Sequence, residues 1–215
     1  MGSYSTFVLG SRRDAADWES GCQGLGLRRM QSVRTGLVSM STARSFFSHS
    51  PEWLYLAGHY AGSLYSENGE TDIRFSDNGV TITAGNQSAT LTKGRDFQLH
   101  RNVKVVIWGG CSLLGDATEV QTMKKLFGEK HVMLGFGGIT GWRIVQALFG
   151  GGFIPKSGSF FGRLGANPCP EDIVQAWMGA ASQGYGGNAS IDYLFRAVDH
   201  NGQAWKLAGK QIVKA

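Results

Sequence analysis

His59 and Cys111 are the residues of this chain whose types and placement could do chemistry together. Each follows a glycine at the end of an apolar run: Trp53-Leu54-Tyr55-Leu56-Ala57 leads to Gly58-His59, and the run from Val103 to Trp108 leads to Gly109-Gly110-Cys111. A thiol attacks as its thiolate, and a nearby imidazole can take the proton at neutral pH. Two residues far apart in sequence meet when each lies just past the end of neighbouring parallel strands, and this pair is placed to do so. The glycines permit a sharp exit from each strand and free backbone N–H groups that could line an oxyanion site. Taken singly, a strand-end cysteine is a small buried hydrophobe and a strand-end histidine a packed structural residue. It is the pairing that makes them candidates.

The other histidines and cysteines lack this placement. Cys22 lies in a Gly-rich stretch, Cys169 sits between two prolines, and His49, His100, His131 and His200 fall near turns or segment starts, where surface or packing roles are expected. Three widely spaced cysteines without a CxxC or Cys/His cluster argue against a disulfide framework or zinc site, so neither metal nor cofactor is expected. Gly135, Gly137 and Gly138 are not spaced as GxGxxG and no Lys-Ser/Thr follows, which leaves a strand-end turn as the reading. No G-x-S-x-G elbow occurs, against an ordinary serine hydrolase. Trp142, Trp177 and Trp205 read as core or groove packing.

The elements that must position the pair are legible in outline. The runs at 53–57, 103–108 and 132–136 are apolar apart from Lys104, the pattern of strands covered on both faces. Between the last two, Thr118 to Phe127 places Val120, Met123, Leu126 and Phe127 at helical spacing, so strand, loop, helix and strand predict a parallel sheet with ligands at its carboxyl ends. Ser41 to Ser48 reads as a helix behind a Ser/Thr cap and stopped by Pro51. From Asp72 to Leu91 the alternation Ile73/Phe75 and Val80/Ile82 around Ser76-Asp77-Asn78-Gly79 predicts an antiparallel hairpin. Pro170 opens a helix from about Glu171 to Ala181, a Gly-rich loop spans Gly150 to Gly152, and Asp199-His200-Asn201-Gly202 suggests a closing hairpin. Residues 1–40 are poorly readable, with a short strand at Phe7-Val8-Leu9 and a helix somewhere between Asp14 and Met30.

With 215 residues, one domain over 1–215 with a full core is expected. Glycine reaches 32 residues, which favours strand-to-helix loops over long bundles. The net charge is +5, but the basic residues are scattered apart from pairs such as Arg12-Arg13, Arg28-Arg29 and Lys124-Lys125, so no nucleic-acid surface is expected. No basic start leads into a long apolar run and no 18-residue apolar stretch occurs, so neither signal peptide nor membrane association is expected. The cytoplasm is the default compartment, and export without a cleavable signal would leave the same sequence.

The two motifs resemble those of the caspase-like cysteine peptidases, which include caspases, gingipains and related bacterial domains. That family pairs an apolar strand ending in His-Gly with a second ending in a small residue and Cys. The two blocks are Trp53 to Tyr60 and Val103 to Cys111, and Cys111 follows His59 by 52 residues (59 to 111), where the caspase pattern has about 50. The segments from His131 to Gly138 and Asp172 to Ala181 are similar to an uncharacterised bacterial branch, and the resemblance covers Ser41 to Ala197. It implies a three-layer α/β fold with a mostly parallel sheet flanked by helices, and a cysteine endopeptidase acting on a peptide or protein. By that resemblance His59 is the base and Cys111 the nucleophile of a thioester acyl-enzyme, with backbone groups of Gly110-Cys111 and Tyr60 at the oxyanion. Tyr60 stands where the family usually has Gly, and the caspase nucleophile signature is replaced by Trp-Gly-Gly-Cys-Ser-Leu-Leu-Gly. A catalytically inactive caspase-fold binding or scaffold module is therefore the alternative. Asp116 and Glu119 point to a pocket for a basic residue or an N-terminal amine, or simply to carboxylates at a solvated helix start.

Overall fold

The computed structural model describes residues 2–10, 13–99, 101–128, 130–140, 142–152, 154–188 and 194–215, which leaves His100 outside. The first half of the chain runs β1 (Ser3–Leu9), α1 (Asp14–Gly24), β2 (Arg28–Thr35), α2 (Met40–Phe47), β3 (Trp53–Ala57), β4 (His59–Tyr60), β5 (Leu64–Tyr65), β6 (Thr71–Ser76), β7 (Gly79–Ala84) and β8 (Gln87–Thr92). The second half runs β9 (Val105–Trp108), α3 (Ala117–Leu126), β10 (Val132–Phe136), α4 (Trp142–Phe149), α5 (Pro170–Tyr185), β11 (Phe195–Asp199), β12 (Ala204–Ala208) and β13 (Gln211–Lys214).

Eight strands form one sheet in the order β13-β12-β11-β10-β9-β3-β1-β2. The five from β10 to β2 are parallel, and β11, β12 and β13 continue the sheet antiparallel. Every residue of β3, β9 and β10 is buried, because the sheet is covered on both faces and alternate side chains enter different cores. Trp53, Tyr55, Val105, Ile107, Leu134 and Phe136 meet α1, α4 and α5 around Trp18, Phe149 and Trp177. Leu54, Leu56, Val106, Trp108 and Met133 face Phe46 and Phe47 of α2, Met123 and Leu126 of α3, and Ile73 and Ile82 of a second sheet.

That second sheet corrects the sequence reading. The hairpin is present, with β6 and β7 joined through Asp77-Asn78, but it belongs to a five-stranded antiparallel sheet in the order β4-β5-β6-β7-β8. The added strands carry little signal: β4 and β5 have two residues each, and β8 buries Leu91 alone. The expected strand at 103–108 begins two residues later, at Val105. The expected helices appear as α2, α3 and α5, and the closing hairpin as β11 and β12. The N-terminal strand and helix are β1 and α1, whereas β2 and α4 are elements the sequence reading lacks.

β2 escapes sequence reading because it is an edge strand, Arg-Arg-Met-Gln-Ser-Val-Arg-Thr, with no fully buried residue. Polar contacts rather than apolar ones tie it to α1. Ser32 Oγ donates to Glu19 Oε1 at 2.6 Å, Arg34 Nε donates to the same oxygen at 3.2 Å, and Arg34 Nη2 lies 2.6 Å from Glu19 Oε2. Burial alone would raise the Glu19 pKa, but the hydrogen bonds from Arg34 and Ser32 and the Arg34 charge hold it below the ordinary value. A depressed carboxylate contributes stability that is complete above the unfolded value, near 4.5, and is lost as pH falls through the lower folded value. Glu19→Gln is therefore expected to flatten the acid limb of a plot of Tm against pH. Glu19→Ala, which leaves Arg34 only the Ala15 carbonyl as acceptor, should cost about 2 kcal/mol at neutral pH by thermal or urea unfolding.

Candidate active site

β3 and β9 are direct parallel neighbours, with Leu56 opposite Trp108, so their carboxyl ends stand at one level. The Gly109 N–H extends the ladder by donating to the Leu56 carbonyl at 2.8 Å. Beyond it the chain exits diverge while staying in contact. A Cβ on Gly110 would lie 3.1 Å from Tyr60 Cβ and 3.4 Å from the Gly58 carbonyl oxygen, so glycine at 110 is what lets the two exits approach. The structure thus brings His59, Tyr60, Gly110 and Cys111 to one rim of the sheet. The backbone N–H groups of Gly110 and Cys111 donate to no acceptor among the described residues.

His59 and Tyr60 turn away from β3 to start the second sheet, where His59 pairs with Tyr65 and Tyr60 with Leu64. The His59 imidazole is exposed and stacks on the Tyr65 ring, with centroids 5.4 Å apart and planes 26° from parallel. Cys111 is half-buried. Its Sγ donates to the Thr140 carbonyl at 3.3 Å and accepts from the Thr140 N–H at 3.4 Å. Among the described residues no hydrogen bond joins His59 to Cys111. Each rests on a neighbour of its own, Tyr65 and Thr140, and the sequence reading contains neither. A repeated aromatic at 60 and 65 was the available sign of Tyr65, whereas nothing about Thr140 distinguishes it from any other loop threonine.

After Cys111, Ser112 takes a left-handed backbone with φ of 61°, which costs a non-glycine residue about 1 kcal/mol. Its N–H donates to the Gly138 carbonyl at 2.9 Å. A 3₁₀ turn at Leu113–Gly115 then plants Leu113 and Leu114 in the core below. The Asp116 carboxylate caps α3, accepting from the N–H groups of Thr118 at 2.7 Å and Glu119 at 3.2 Å. This is the helix-start role of Asp116. Tyr60 lays its ring against the core rather than across the rim. Its hydroxyl is buried, and burial, followed by the Glu119 carboxylate beside it and the Asp116 charge, pushes its pKa up.

Cys22 is buried and Cys169 exposed, each without a disulfide. His131 is buried, its Nδ1 within 2.5 Å of the Gly128 carbonyl. Trp177 is fully buried and Trp205 packs at the edge of the same core. Among the described residues no three His, Cys, Asp or Glu side chains gather as metal ligands. None of these residues has a helix long and apolar enough to cross a membrane. A trough of about 660 Å³ lined by Ser50, Glu52, Arg101, Lys104 and Lys130 opens at the amino ends of the parallel strands, across the sheet from His59 and Cys111. No protein-family model matches the chain, and no curated protein matches it in sequence.

The Cys111 loop is held by close packing of Gly115 on Gly137. A Cβ on Gly115 would run into the Gly137 carbonyl oxygen, which is backbone and cannot rotate aside. Gly115→Ala is expected to cost about 2 kcal/mol, a Tm drop of about 4–8 °C for a chain of this size. It should also change the alkylation rate of Cys111 while that of exposed Cys169 stays constant.

Proposed function

We propose that this protein is a cysteine endopeptidase of caspase-like fold, with Cys111 as nucleophile and His59 as general base. The observation that carries the reading is the adjacency of β3 and β9, which sets the two strand exits side by side, with Gly110 against Tyr60. Parallel α/β sheets bind ligands at this rim. In the proposed reaction Sγ loses its proton to His59 and bonds to the substrate carbonyl carbon. The carbonyl oxygen becomes an oxyanion held by the N–H groups of Gly110 and Cys111, which donate to no acceptor among the described residues, each such donor contributing about 3 kcal/mol in well-studied hydrolases. The C–N bond breaks as His59 returns the proton to the leaving amine. A water, deprotonated by His59, then cleaves the thioester and restores the thiol.

The resting contacts are compatible with this cycle, since bound substrate can draw Sγ off Thr140 and the imidazole over it. The same contacts are the observation behind a second reading, a caspase-fold binding module without turnover, in which Thr140 and Tyr65 keep the pair apart. A compartment in the cytoplasm and a peptide or protein substrate belong to the first proposal.

A peptide carrying a thiol-reactive electrophile separates the two. For a peptidase, Cys111 is labelled at neutral pH in preference to Cys169, although Cys169 is the more exposed thiol. His59→Ala should slow that labelling at least about tenfold, and Cys111→Ala should abolish both labelling and peptide cleavage with Tm unchanged. Tyr65→Ala should lower kcat more than it raises KM. Labelling of Cys111 no faster than Cys169, or indifferent to loss of His59, would rule out the peptidase.

A further inference from the structure

Two hollows adjoin at the amino ends of β3, β9 and β10, the ends of the strands away from His59 and Cys111, and they share Glu52, Lys104, Lys130 and Pro170 in their walls. The larger is the polar trough of about 660 Å³, which Arg101, Lys104 and Lys130 line. The smaller, of about 280 Å³, is lined on its apolar side by Leu25, Leu27, Trp53, Pro168 and Ile173. Together they have the size of a small-molecule site, about 300–1,000 Å³. Leu25 and Leu27 are only partly buried by the core they pack against, so apolar surface is left open toward the hollow.

Charge in these walls does not cancel. Glu52 is the one carboxylate among the described residues that line the two hollows, and Lys104 Nζ already holds its Oε2 at 2.6 Å. Arg101 and Lys130 form no ion pair among the described residues. Glu171 and Asp199 line a third hollow that Lys130 also borders, yet neither comes within ion-pair distance of it. The two unmatched cations are set in place by backbone. The Arg101 N–H donates to the Gln98 carbonyl at 3.1 Å and the Asn102 N–H to Ser50 Oγ at 2.9 Å, which fixes the turn that carries Arg101. Lys130 takes a left-handed backbone with φ of 63°, as does Asn167 of the smaller hollow with φ of 54°. Asparagine adopts that conformation readily, whereas a lysine there is strained where glycine would not be. Strain of this kind gathers at ligand sites, and Lys130 stands in the wall of both hollows.

We propose that the two hollows are one binding site for a small monocarboxylate with an apolar body, its carboxylate taken by Arg101 and Lys130 and its apolar part laid against Leu25 and Leu27. A guanidinium supplies a planar fork for the two carboxylate oxygens and an ammonium adds a point charge. The apolar surface beside them favours such a ligand over a bare anion. The site lies at the opposite strand ends from Cys111 and does not rest on the peptidase reading.

Octanoate is the probe. Octanamide keeps its chain and loses the charge, and acetate keeps the charge and loses the chain. Calorimetric titration of the full chain is expected to show one octanoate bound per chain, at least about tenfold tighter than either control. At about ten times its Kd octanoate should raise Tm by about 3–5 °C. Arg101→Gln should weaken octanoate about tenfold. Lys130→Gly should weaken it to a similar degree with the ligand-free Tm unchanged or raised, because glycine takes a φ of 63° without strain. Absence of octanoate binding, octanamide bound as tightly as octanoate, or octanoate binding indifferent to both substitutions overturns the site. Acetate bound as tightly as octanoate overturns the apolar half and with it the ligand class. None of these readouts passes through Cys111.

Discussion

The parallel pairing of β3 with β9 is the constraint from which the rest of the site follows. Both strands are buried on both faces, so their register is held by two cores at once. A slip of one residue would carry Trp53, Tyr55 and Ala57 into the space of Leu54 and Leu56, exchanging large rings for aliphatic side chains against α2 and the second sheet. No smaller adjustment moves the strand ends relative to one another. Leu56 stays opposite Trp108, and Gly58-His59 and Gly110-Cys111 leave the sheet as neighbours. The placement of the two strand ends is thus set by side chains buried elsewhere in the sheet.

The surrounding elements turn two strand ends into a site with a defined shape. The second sheet begins with His59 itself, so its backbone is fixed by pairing with β5 and its imidazole rests on the Tyr65 ring. On the other side Leu113 and Leu114 anchor the Cys111 loop, and Ser112 is held in a left-handed conformation by its bond to Gly138. Backbone strain of that kind persists only where the neighbours over-determine it. The deep apolar anchors supply this, since burying two leucines contributes about 3–6 kcal/mol against a strain near 1.

How much of this was readable from the amino-acid order depends on where burial occurs. Strands buried on both faces announce themselves as apolar runs, so β3, β9 and β10 and the residues at their ends are plain in the sequence. Gly58 and Gly110 mark the exits for the same reason. β2 is held by Glu19, Ser32 and Arg34, and polar side chains at an edge look like a loop. β4 and β5 are too short for any period to show, which hides that the hairpin is part of a larger sheet. Thr140 acts through its backbone on Cys111, and a backbone contact carries no residue-type signal at all.

What separates His59 from Cys111 is soft compared with what holds them close. The sulfur of Cys111 is held by one weak donor bond and one weak acceptor bond, and thiol hydrogen bonds are feeble beside those of oxygen and nitrogen. The His59 ring is held by a single partly solvated aromatic stack, about 1 kcal/mol in strength. Releasing both side chains from these contacts thus sacrifices about 2 kcal/mol and disturbs no strand, whereas separating the two backbones would require breaking a ladder sealed in two cores. In the proposed peptidase, a charge-assisted contact between imidazolium and thiolate, shielded by a bound peptide, would be of comparable size. On that proposal the balance between the resting and the paired arrangements lies within reach of ligand binding, and a substrate that covers the rim would tip it without any change of fold.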